Sequence, residues 1–554
     1  MTPETLAEAL LAVLAPIAEE RRPGEPVALA ASDIVLDRPR NRDHGDWSSN
    51  IAMRLAKSLG TNPRELAQQI ADGLAQVDGV ASAEVAGPGF INVRLDAAAA
   101  GALAKVIVEA GDAYGSNDSQ QGVSVNVEFV SANPTGPLHI GHTRWAALGD
   151  SIVRLLLASG ANAVREYYIN DAGAQMERFA LSVVAAANGR PTPEGGYPGE
   201  YITTLAGRVL EARPDLLGLP EDEQLVVARD LAYAFQLAEI QASLARFNVP
   251  FDVWFSERTL HAKGEDGTSL IDQALDRLRE QGHVFDEDGA VWVRTTDFGD
   301  DKDRVIRRSN GEYTYFAADA AYYLNKGDRG FENKIYLLGA DHHGYVHRLK
   351  AVAGAAGEDP EKNIQVLIGQ LVSVKGARLS KRAGNIIEMD DLQSWIGTDA
   401  LRYALERSPA DSPLDLDPEL LRKRTNDNPV FYVQYAHART HNVARNAADS
   451  GVDRSEFAPE TLTHESESAL LGALQEFPRI VGFAAEVREP HRVARYLEEL
   501  AGLYHRWYDN CRVIPQGDDP IESVHRTRLW LNDAAGQVFR NGLDLLGVSA
   551  PERM

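Results

Sequence analysis

The stretch that decides the fold is Ser124-Val-Asn-Val-Glu-Phe-Val-Ser-Ala-Asn-Pro-Thr-Gly-Pro-Leu-His-Ile-Gly-His142. Over residues 123–129, apolar and polar side chains alternate with the two-residue period of a β-strand. The prolines and the glycine of residues 134–137 end that strand. Over residues 143–159 apolar side chains recur at helical spacing, and Gly160 supplies a C-terminal stop. The pattern therefore predicts a strand, a tight turn and a helix.

The turn is the expected ligand site. Two imidazoles, His139 and His142, lie where the predicted helix begins. In an open α/β sheet, ligands bind at the carboxyl ends of the strands. A helix start there offers free N–H groups and the positive end of a dipole to phosphate. The alternative is an ordinary strand-to-helix turn with surface histidines.

Length and composition indicate a multi-domain protein. A chain of 554 residues is too long for one hydrophobic core. Its single cysteine, Cys511, excludes a disulfide framework and a multi-cysteine zinc site. No stretch is apolar enough to span a membrane, and residues 1–5 do not resemble a signal peptide. We therefore expect a cytoplasmic protein with no membrane partner.

The charge balance restricts the possible partners. The net charge is −25, from 81 acidic and 56 basic residues. This excess argues against a nonspecific nucleic-acid binder, because such binding depends on neutralising phosphates. It is compatible with a specific RNA that meets local basic faces and is repelled elsewhere.

Three domains are expected from the pattern of elements. Residues 1–105 mix helical and strand patterns and predict a small α+β domain. Residues 106–410 alternate strand and helix, which predicts a doubly wound α/β domain with an insertion at about 180–290. Short strands within 290–307 are expected to resume its sheet. Residues 411–554 read as long helices and predict an all-α bundle.

The motif His139-Ile-Gly-His142 is identical to the first signature of class I aminoacyl-tRNA synthetases. The longer run from Glu128 to His142 resembles the arginyl-tRNA synthetases specifically. The resemblance covers nearly the whole chain, in three domains and in order. It implies a Rossmann-type class I catalytic domain between an N-terminal tRNA-binding domain and a helical anticodon-binding domain.

The resemblance implies an ATP-dependent ligation of L-arginine to tRNA(Arg). An arginyl-adenylate forms first, and the arginyl group then passes to the 2′-hydroxyl of the terminal adenosine. ATP is expected to enter with Mg²⁺, no tightly bound protein metal is expected, and the family suggests a monomer. Two alternatives are a different class I synthetase or nucleotidyltransferase and a non-catalytic tRNA-binding relative.

A second signature is expected at Gly376-Ala-Arg-Leu-Ser-Lys-Arg382, which resembles the class I Lys-Met-Ser-Lys-Ser loop. Arg378 stands at the first lysine, whereas Ser380 and Lys381 match. Cations there would stabilise the charge that develops on pyrophosphate. Which cation contributes more is open, and Lys381 is favoured. The alternative is a solvated basic loop. The resemblance implies His139, His142, Lys381 and Arg378 as catalytic residues, and His139, Gly141, His142, Ser380 and Lys381 as ATP-binding residues.

An arginine pocket needs carboxylates, because a guanidinium has five donors and no acceptor. Glu128 and Asp319 match the family's guanidinium-binding acids. Tyr315, four residues before Asp319, would lie on the same helical face. In isolation, each acid reads more simply as a surface charge. His342 falls where some members carry glutamine, so its role is open. The expected arginine-binding set is Glu128, Ser131, Asn133, Tyr315, Asp319 and His342.

RNA contacts are expected in both terminal domains. Phe90 and Asn92 match a base-contacting aromatic and amide, although a strand phenylalanine is usually buried. Asp399-Ala-Leu-Arg402 resembles the tag after which the anticodon-binding domain is named. Beyond it, cations alternate with aromatics, a composition suited to a single-stranded loop. Tyr435 and Arg439 are the expected contacts there, the alternative being that the tyrosine faces the core.

A metal site was considered for Asp341, His342, His343 and His347. The residue types suit zinc, but without a predicted helix the histidines share no clear face. Contact with ATP, or a satisfied buried histidine, is the preferred interpretation.

Overall fold

The computed structural model describes residues 3–24, 29–39, 44–339, 343–375 and 387–554. Along these ranges the chain forms an N-terminal α+β unit, a central unit built on a five-stranded parallel sheet and a C-terminal helical unit. The predicted fold class is confirmed.

The N-terminal unit packs helices against a four-stranded antiparallel sheet. Asn62 caps its third helix by accepting a hydrogen bond from the backbone N–H of Arg64. Pro63 follows in the first turn, where a missing N–H costs nothing. Trp47 and Ile91 are buried in its core. The elements are α1 (Pro3–Arg21), β1 (Leu36–Asp37), β2 (Trp47–Ser49), α2 (Ile51–Leu55), α3 (Pro63–Leu74), β3 (Val80–Ala86), β4 (Phe90–Leu95), α4 (Ala97–Gly101) and α5 (Leu103–Ala110), and the sheet order is β1-β2-β4-β3.

The predicted strand, turn and helix lie at the centre of the molecule. The strand pairs in parallel on both sides, so that Val127 is opposite both Arg165 and Ile335. Burial on both faces is typical of a central parallel strand. The elements of this half are β5 (Ser124–Glu128), α6 (Ile140–Ala158), β6 (Asn162–Ile169), α7 (Ala174–Ala187), α8 (Glu200–Ala212), α9 (Glu221–Arg246) and β7 (Val253–Ser256).

The second half differs from the expectation for residues 290–307. Its short strands form a separate antiparallel sheet, and the prediction that they resume the parallel sheet is wrong. Alternating burial along Ala290–Val293 explains this, because one face of an antiparallel sheet is often exposed. Instead β7, within the expected insertion, is an edge strand of the parallel sheet. The elements are α10 (Arg258–His261), α11 (Leu270–Glu280), β8 (Val284–Glu287), β9 (Ala290–Val293), β10 (Arg304–Arg307), α12 (Tyr315–Asp328), β11 (Asn333–Gly339), α13 (His343–Ala355), β12 (Ile364–Gly369) and β13 (Val372–Val374), and the parallel order is β12-β11-β5-β6-β7.

The C-terminal unit is dominated by four long helices around a core that includes Phe477, Tyr504 and Phe539. No helix of the described chain is long and apolar enough to cross a membrane. The elements are α14 (Met389–Ile396), α15 (Thr398–Glu406), β14 (Leu414–Leu416), which pairs in parallel with β13, α16 (Pro418–Leu421), α17 (Pro429–Asp449), α18 (Glu465–Val487), α19 (His491–Asn510) and α20 (Ser523–Leu545).

A buried ion network joins α6 to the helices that follow the sheet. Asp150 accepts hydrogen bonds from Arg402 at 2.9 Å and from Arg154 and Arg165 at 2.8 Å each. Burial alone would raise the pKa of Asp150, but the three arginine charges bring it below its usual value. A Cβ at Gly547, where φ is +61°, would lie 2.3 Å from Nη2 of Arg402, so this close approach requires glycine.

Candidate active site

The carboxyl end of β5 is conformationally strained. Val130 and Ser131 have φ values of 66° and 41°, a region that residues other than glycine rarely adopt. Ser131 holds this turn, because its Oγ accepts a hydrogen bond from the Tyr168 backbone at 3.1 Å. The same hydroxyl donates to Oε1 of Glu128 at 3.3 Å. The turn therefore fixes the direction of Glu128.

His139 and His142 form a close pair of rings, tilted by 33°, at the start of α6. Their ring centroids are 3.8 Å apart. The backbone N–H of Gly141 donates to Nδ1 of His139 at 3.1 Å, and that of His139 donates to Nδ1 of His142 at 3.3 Å. A Cβ at Gly141 would lie 3.0 Å from Cε1 of His139, tighter than nearly all real contacts.

The electrostatics keep both histidines neutral. Burial lowers the pKa of His139, and burial together with repulsion from His139 lowers the pKa of His142 to about 3. With both Nδ1 atoms accepting, the protons are on Nε2. Two neutral N–H donors beside a helix N-terminus suit phosphate oxygens.

The second signature lies outside the described residues, including Arg378, Ser380 and Lys381. Its downstream flank pairs with the first signature. The backbone N–H of Ile140 donates to the carbonyl of Ile387 at 3.0 Å, and that of Met389 donates to the carbonyl of Leu138 at 2.8 Å. Ile387 and Met389, which follow the second signature, therefore lie against the start of α6.

Glu128 is engaged within the protein. Nζ of Lys326 donates to its Oε2 at 2.7 Å. The ammonium of Lys326 also lies 4.4 Å from the ring centroid of Tyr322 and 4.0 Å from that of Tyr336. Lys326 is fully buried, and a lone lysine in a helical pattern gave no signal of this role.

Asp319 and Tyr315 lie on α12, as their spacing predicted. Burial, followed by repulsion from Glu257 and Glu128, raises the pKa of Asp319 to about 7, although a hydrogen bond with Tyr345 opposes the shift. Tyr315 is 72% exposed, so it is free to cover a ligand.

Glu257 was missed by the sequence analysis. It directly follows β7, and burial and then repulsion from Asp171 raise its pKa to about 7. The only signal was its position directly after β7. Residues 180–290 were predicted to be an insertion, so β7 was not expected in the parallel sheet. The charge of Glu257 also helps to raise the pKa of Asp319, so the two residues belong to the same acidic cluster.

A cavity of about 800 Å³ opens beside Glu257, whereas Asp319 and Glu128 do not line it. Glu257, Tyr315 and the Ala172–Gly173 backbone line it. Asn133 lies exposed in the turn after β5, and His342 falls outside the described residues, as does Asp341 of the considered metal set. The structure therefore gathers an acidic cluster of three residues: Glu128 at the end of β5, Glu257 just after β7 and Asp319 on α12.

The expected RNA residues of β4 share one face. Phe90 is 39% exposed and Asn92 is half-buried, whereas Ile91 and Val93 between and after them are buried. The alternative that Phe90 belongs to the strand core is therefore wrong.

Tyr435 and Arg439 form one cluster on α17. Nη2 of Arg439 donates to Tyr435 Oη at 2.8 Å, and Nη1 lies 3.1 Å from Nδ1 of His505. Both residues are half-buried, so the tyrosine does not face the core.

Three family models match the chain, one for each structural unit. "Arginyl tRNA synthetase N terminal domain" covers residues 4–95, and "DALR anticodon binding domain" covers 433–554. "tRNA synthetases class I (R), catalytic domain" covers 103–189 and 223–411. The central match defines the class, a class I tRNA synthetase.

Whole-chain relatives identify the member of that class. Arginine–tRNA ligases of Paenarthrobacter aurescens and Micrococcus luteus are 62% and 60% identical, each over 100% of both chains. The arginyl-tRNA synthetase structure of Thermus thermophilus shares the fold, with a TM-score of 0.70, 23% identity and 100% of both chains covered. The chain belongs to the arginine–tRNA ligase family, the arginyl-tRNA synthetases.

Proposed function

We propose that this protein uses ATP to ligate L-arginine to tRNA(Arg). The observation that carries this proposal is a cluster of acids with raised pKa values beside a neutral histidine pair at a helix N-terminus. The acids suit a guanidinium, and the helix start suits the phosphates of ATP. Glu128 and the histidine pair both follow β5, at the carboxyl end of the parallel sheet, where ligands of such sheets bind.

In the first step, the arginine carboxylate attacks the α-phosphate of ATP. A P–O bond forms to arginine, the bond to pyrophosphate breaks, and arginyl-adenylate results. No covalent enzyme intermediate is required, so the protein contributes positioning and charge stabilisation. His139 and His142 donate from Nε2 to phosphate and ribose oxygens, beside the positive end of the α6 dipole. Lys381, Arg378 and Ser380 bind the departing pyrophosphate, and Mg²⁺ enters with ATP as part of the substrate.

In the arginine pocket, Asp319 takes the guanidinium with support from Glu257. Glu128 contributes negative charge while Lys326 and Ser131 hold its orientation. Tyr315 covers the side chain from the exposed face. Asn133 and Ser131 hold the α-amino and carboxylate groups. His342 completes the set on sequence grounds alone.

In the second step, the 2′-hydroxyl of the terminal adenosine attacks the arginyl carbonyl and AMP leaves. Phe90 and Asn92 contact the outer corner of the tRNA, where an exposed ring and an amide can stack on and hydrogen-bond a splayed base. Tyr435 and Arg439 contact the anticodon loop. We further propose domain limits of 1–105, 106–410 and 411–554, a monomer and a cytoplasmic location.

The test is ATP–pyrophosphate exchange with each amino acid, with and without tRNA(Arg), followed by aminoacylation of tRNA transcripts of defined anticodon. Among the amino acids, we expect only arginine to support exchange. Among the transcripts, we expect only tRNA(Arg) to be charged. His142→Ala should slow exchange while leaving tRNA affinity intact. His283→Ala, immediately before β8 of the separate antiparallel sheet, is the matched control. Exchange with another amino acid, or wild-type exchange by His142→Ala, would contradict the proposal.

A further inference from the structure

Arg38, just after β1 in the N-terminal unit, reaches across to α18 of the helical unit. Its Nη2 donates to Oε1 of Gln475 at 2.8 Å, and its Nε lies 3.3 Å from Oε1 of Glu476. These residues are more than 430 positions apart in the chain, so the contact joins two folding units. The side chain of Arg38 is only 22% exposed and that of Glu476 is 13% exposed, so water screens this pair weakly.

The helix surface opposite Arg38 is shaped for it. A Cβ built on Gly472 of α18 would lie 2.0 Å from Nη1 and 2.8 Å from Cζ of Arg38. Glycine disfavours a helix interior by about 1 kcal/mol relative to alanine. Its presence here lets the guanidinium lie against the helix backbone.

On its other side, Arg38 lies over Trp47, with Cζ 4.8 Å from the ring centroid. Trp47 is buried on β2, and β2 pairs directly with β4. Ser48, the next residue, is opposite Asn92. Arg38 therefore connects α18 to the strand that presents Phe90 and Asn92.

We infer that Arg38 is a positioning residue for tRNA. Together with Trp47, Gln475 and Glu476, it forms the Arg38 interdomain contact, which fixes the distance between the surface of β4 and the surface of α17. The helices that follow β4 also contact the helical unit, since Gly101 of α4 closely approaches Pro459 and α5 packs on α20, whereas the Arg38 contact joins the β1–β2 side of the sheet to α18. Two surfaces held at a fixed spacing bind one rigid RNA far better than two that move independently.

The inference rests on the RNA contacts proposed for the two terminal units, so its test must separate it from them. Gly472→Ala removes the contact without touching charge and should favour the helix locally. Arg38→Ala removes it from the other side. Lys57→Ala is the matched control, because it deletes one exposed cation from the same unit.

We expect both contact variants to raise the KM for full-length tRNA(Arg) about three- to tenfold while kcat, the KM values for arginine and ATP, and the affinity for an isolated anticodon stem-loop stay unchanged. Arg38→Lys should lie between wild type and Arg38→Ala, because a lysine cannot bind Gln475 and Glu476 as a fork. A KM for full-length tRNA(Arg) that is the same in Gly472→Ala as in the wild type would overturn the inference. So would a loss of stem-loop affinity equal to the loss for full-length tRNA.

A measurement without RNA checks the geometry directly. Spin labels at Lys57→Cys and Asp449→Cys report the distance between the two units, since the native Cys511 is buried. Gly472→Ala should broaden the distance distribution. An unchanged distribution would overturn the inference, whereas a wild-type tRNA KM for Phe90→Ala would instead reject the RNA role of Phe90.

Discussion

Two groups of carboxylates in this molecule have pKa values shifted in opposite directions. Around Asp150, three arginines converge on one fully buried acid and lower its pKa. In the acidic cluster, Asp319 and Glu257 lie near each other with pKa values raised to about 7. Within the described ranges, neither of these two acids has a lysine or arginine in ion-pair contact.

The difference separates structure from function. Burying an ionised acid is costly unless a cation accompanies it. Where the protein supplies that cation, the carboxylate is neutralised within the fold and has a structural role. Asp150 is completed by the chain itself, and it joins α6 to α15 through Arg402. Asp319 and Glu257 have no such ion-pair partner among the described residues, although the charge of Arg348 partly opposes the rise in the pKa of Asp319. A guanidinium is a cation of the right shape for them. Glu128 is intermediate, since Lys326 neutralises it from within.

The largest effect is expected at Arg402. Arg402→Met leaves Asp150 with fewer cations in a dry site, and we expect the free energy of unfolding to fall by about 3–5 kcal/mol. Chemical denaturation measures it. Arg213→Met, which breaks an exposed pair with Asp215, is the control and should have little effect. A small change at Arg402 would mean that the network does not hold the units together.

A smaller but specific effect is expected at Asp319. Asp319→Asn keeps the shape and removes the charge, so the KM for arginine should rise about 10- to 100-fold, the loss expected for a charge-assisted hydrogen bond. The KM for ATP should not change. A carboxyl whose pKa is higher in the folded state favours folding only when protonated, so above pH 7 the variant should be no less stable. A KM within twofold of wild type would remove Asp319 from the pocket.

Glu128→Gln tests the intermediate case. We expect the KM for arginine to rise about tenfold and the free energy of unfolding to fall by about 1–3 kcal/mol, because Lys326 loses its charged partner. ATP binding should remain nearly intact. Lost stability with an unchanged KM for arginine would show that Glu128, like Asp150, has a structural role only.

The mildest test is pH. Below pH 7 the carboxyls of Asp319 and Glu257 are largely protonated and attract a guanidinium weakly; as pH rises through 7 they ionise. The KM for arginine should therefore fall about three- to tenfold between pH 6 and pH 8, and Glu257→Gln should flatten this profile. The KM for ATP is the internal control, because the pKa of His142 is about 3 and burial lowers the pKa of His139 below its ordinary value. A flat arginine profile in the wild type would show that the acids are already ionised at pH 6.

The sequence predicted what local patterns encode. The strand, turn and helix from Ser124 to Gly160 follow from periodicity and turn residues, and Tyr315 and Asp319 from helical spacing. The sheet to which residues 290–307 belong does not, because strand partners are chosen by tertiary packing. Glu257 and Lys326 gain their roles only when distant elements converge. The left-handed backbone at Val130 has no sequence signal, since valine ordinarily avoids that region.

The pairing of Ile387 and Met389 with the start of α6 uses only main-chain atoms. The two hydrogen bonds themselves therefore do not depend on the side chains at positions 387–389, although Met389 is also buried in the hydrophobic core. Proline at position 389 or at position 140 lacks the N–H that each bond requires. A scan should therefore reject proline at positions 140 and 389, and at position 389 it should also disfavour polar side chains because Met389 is buried.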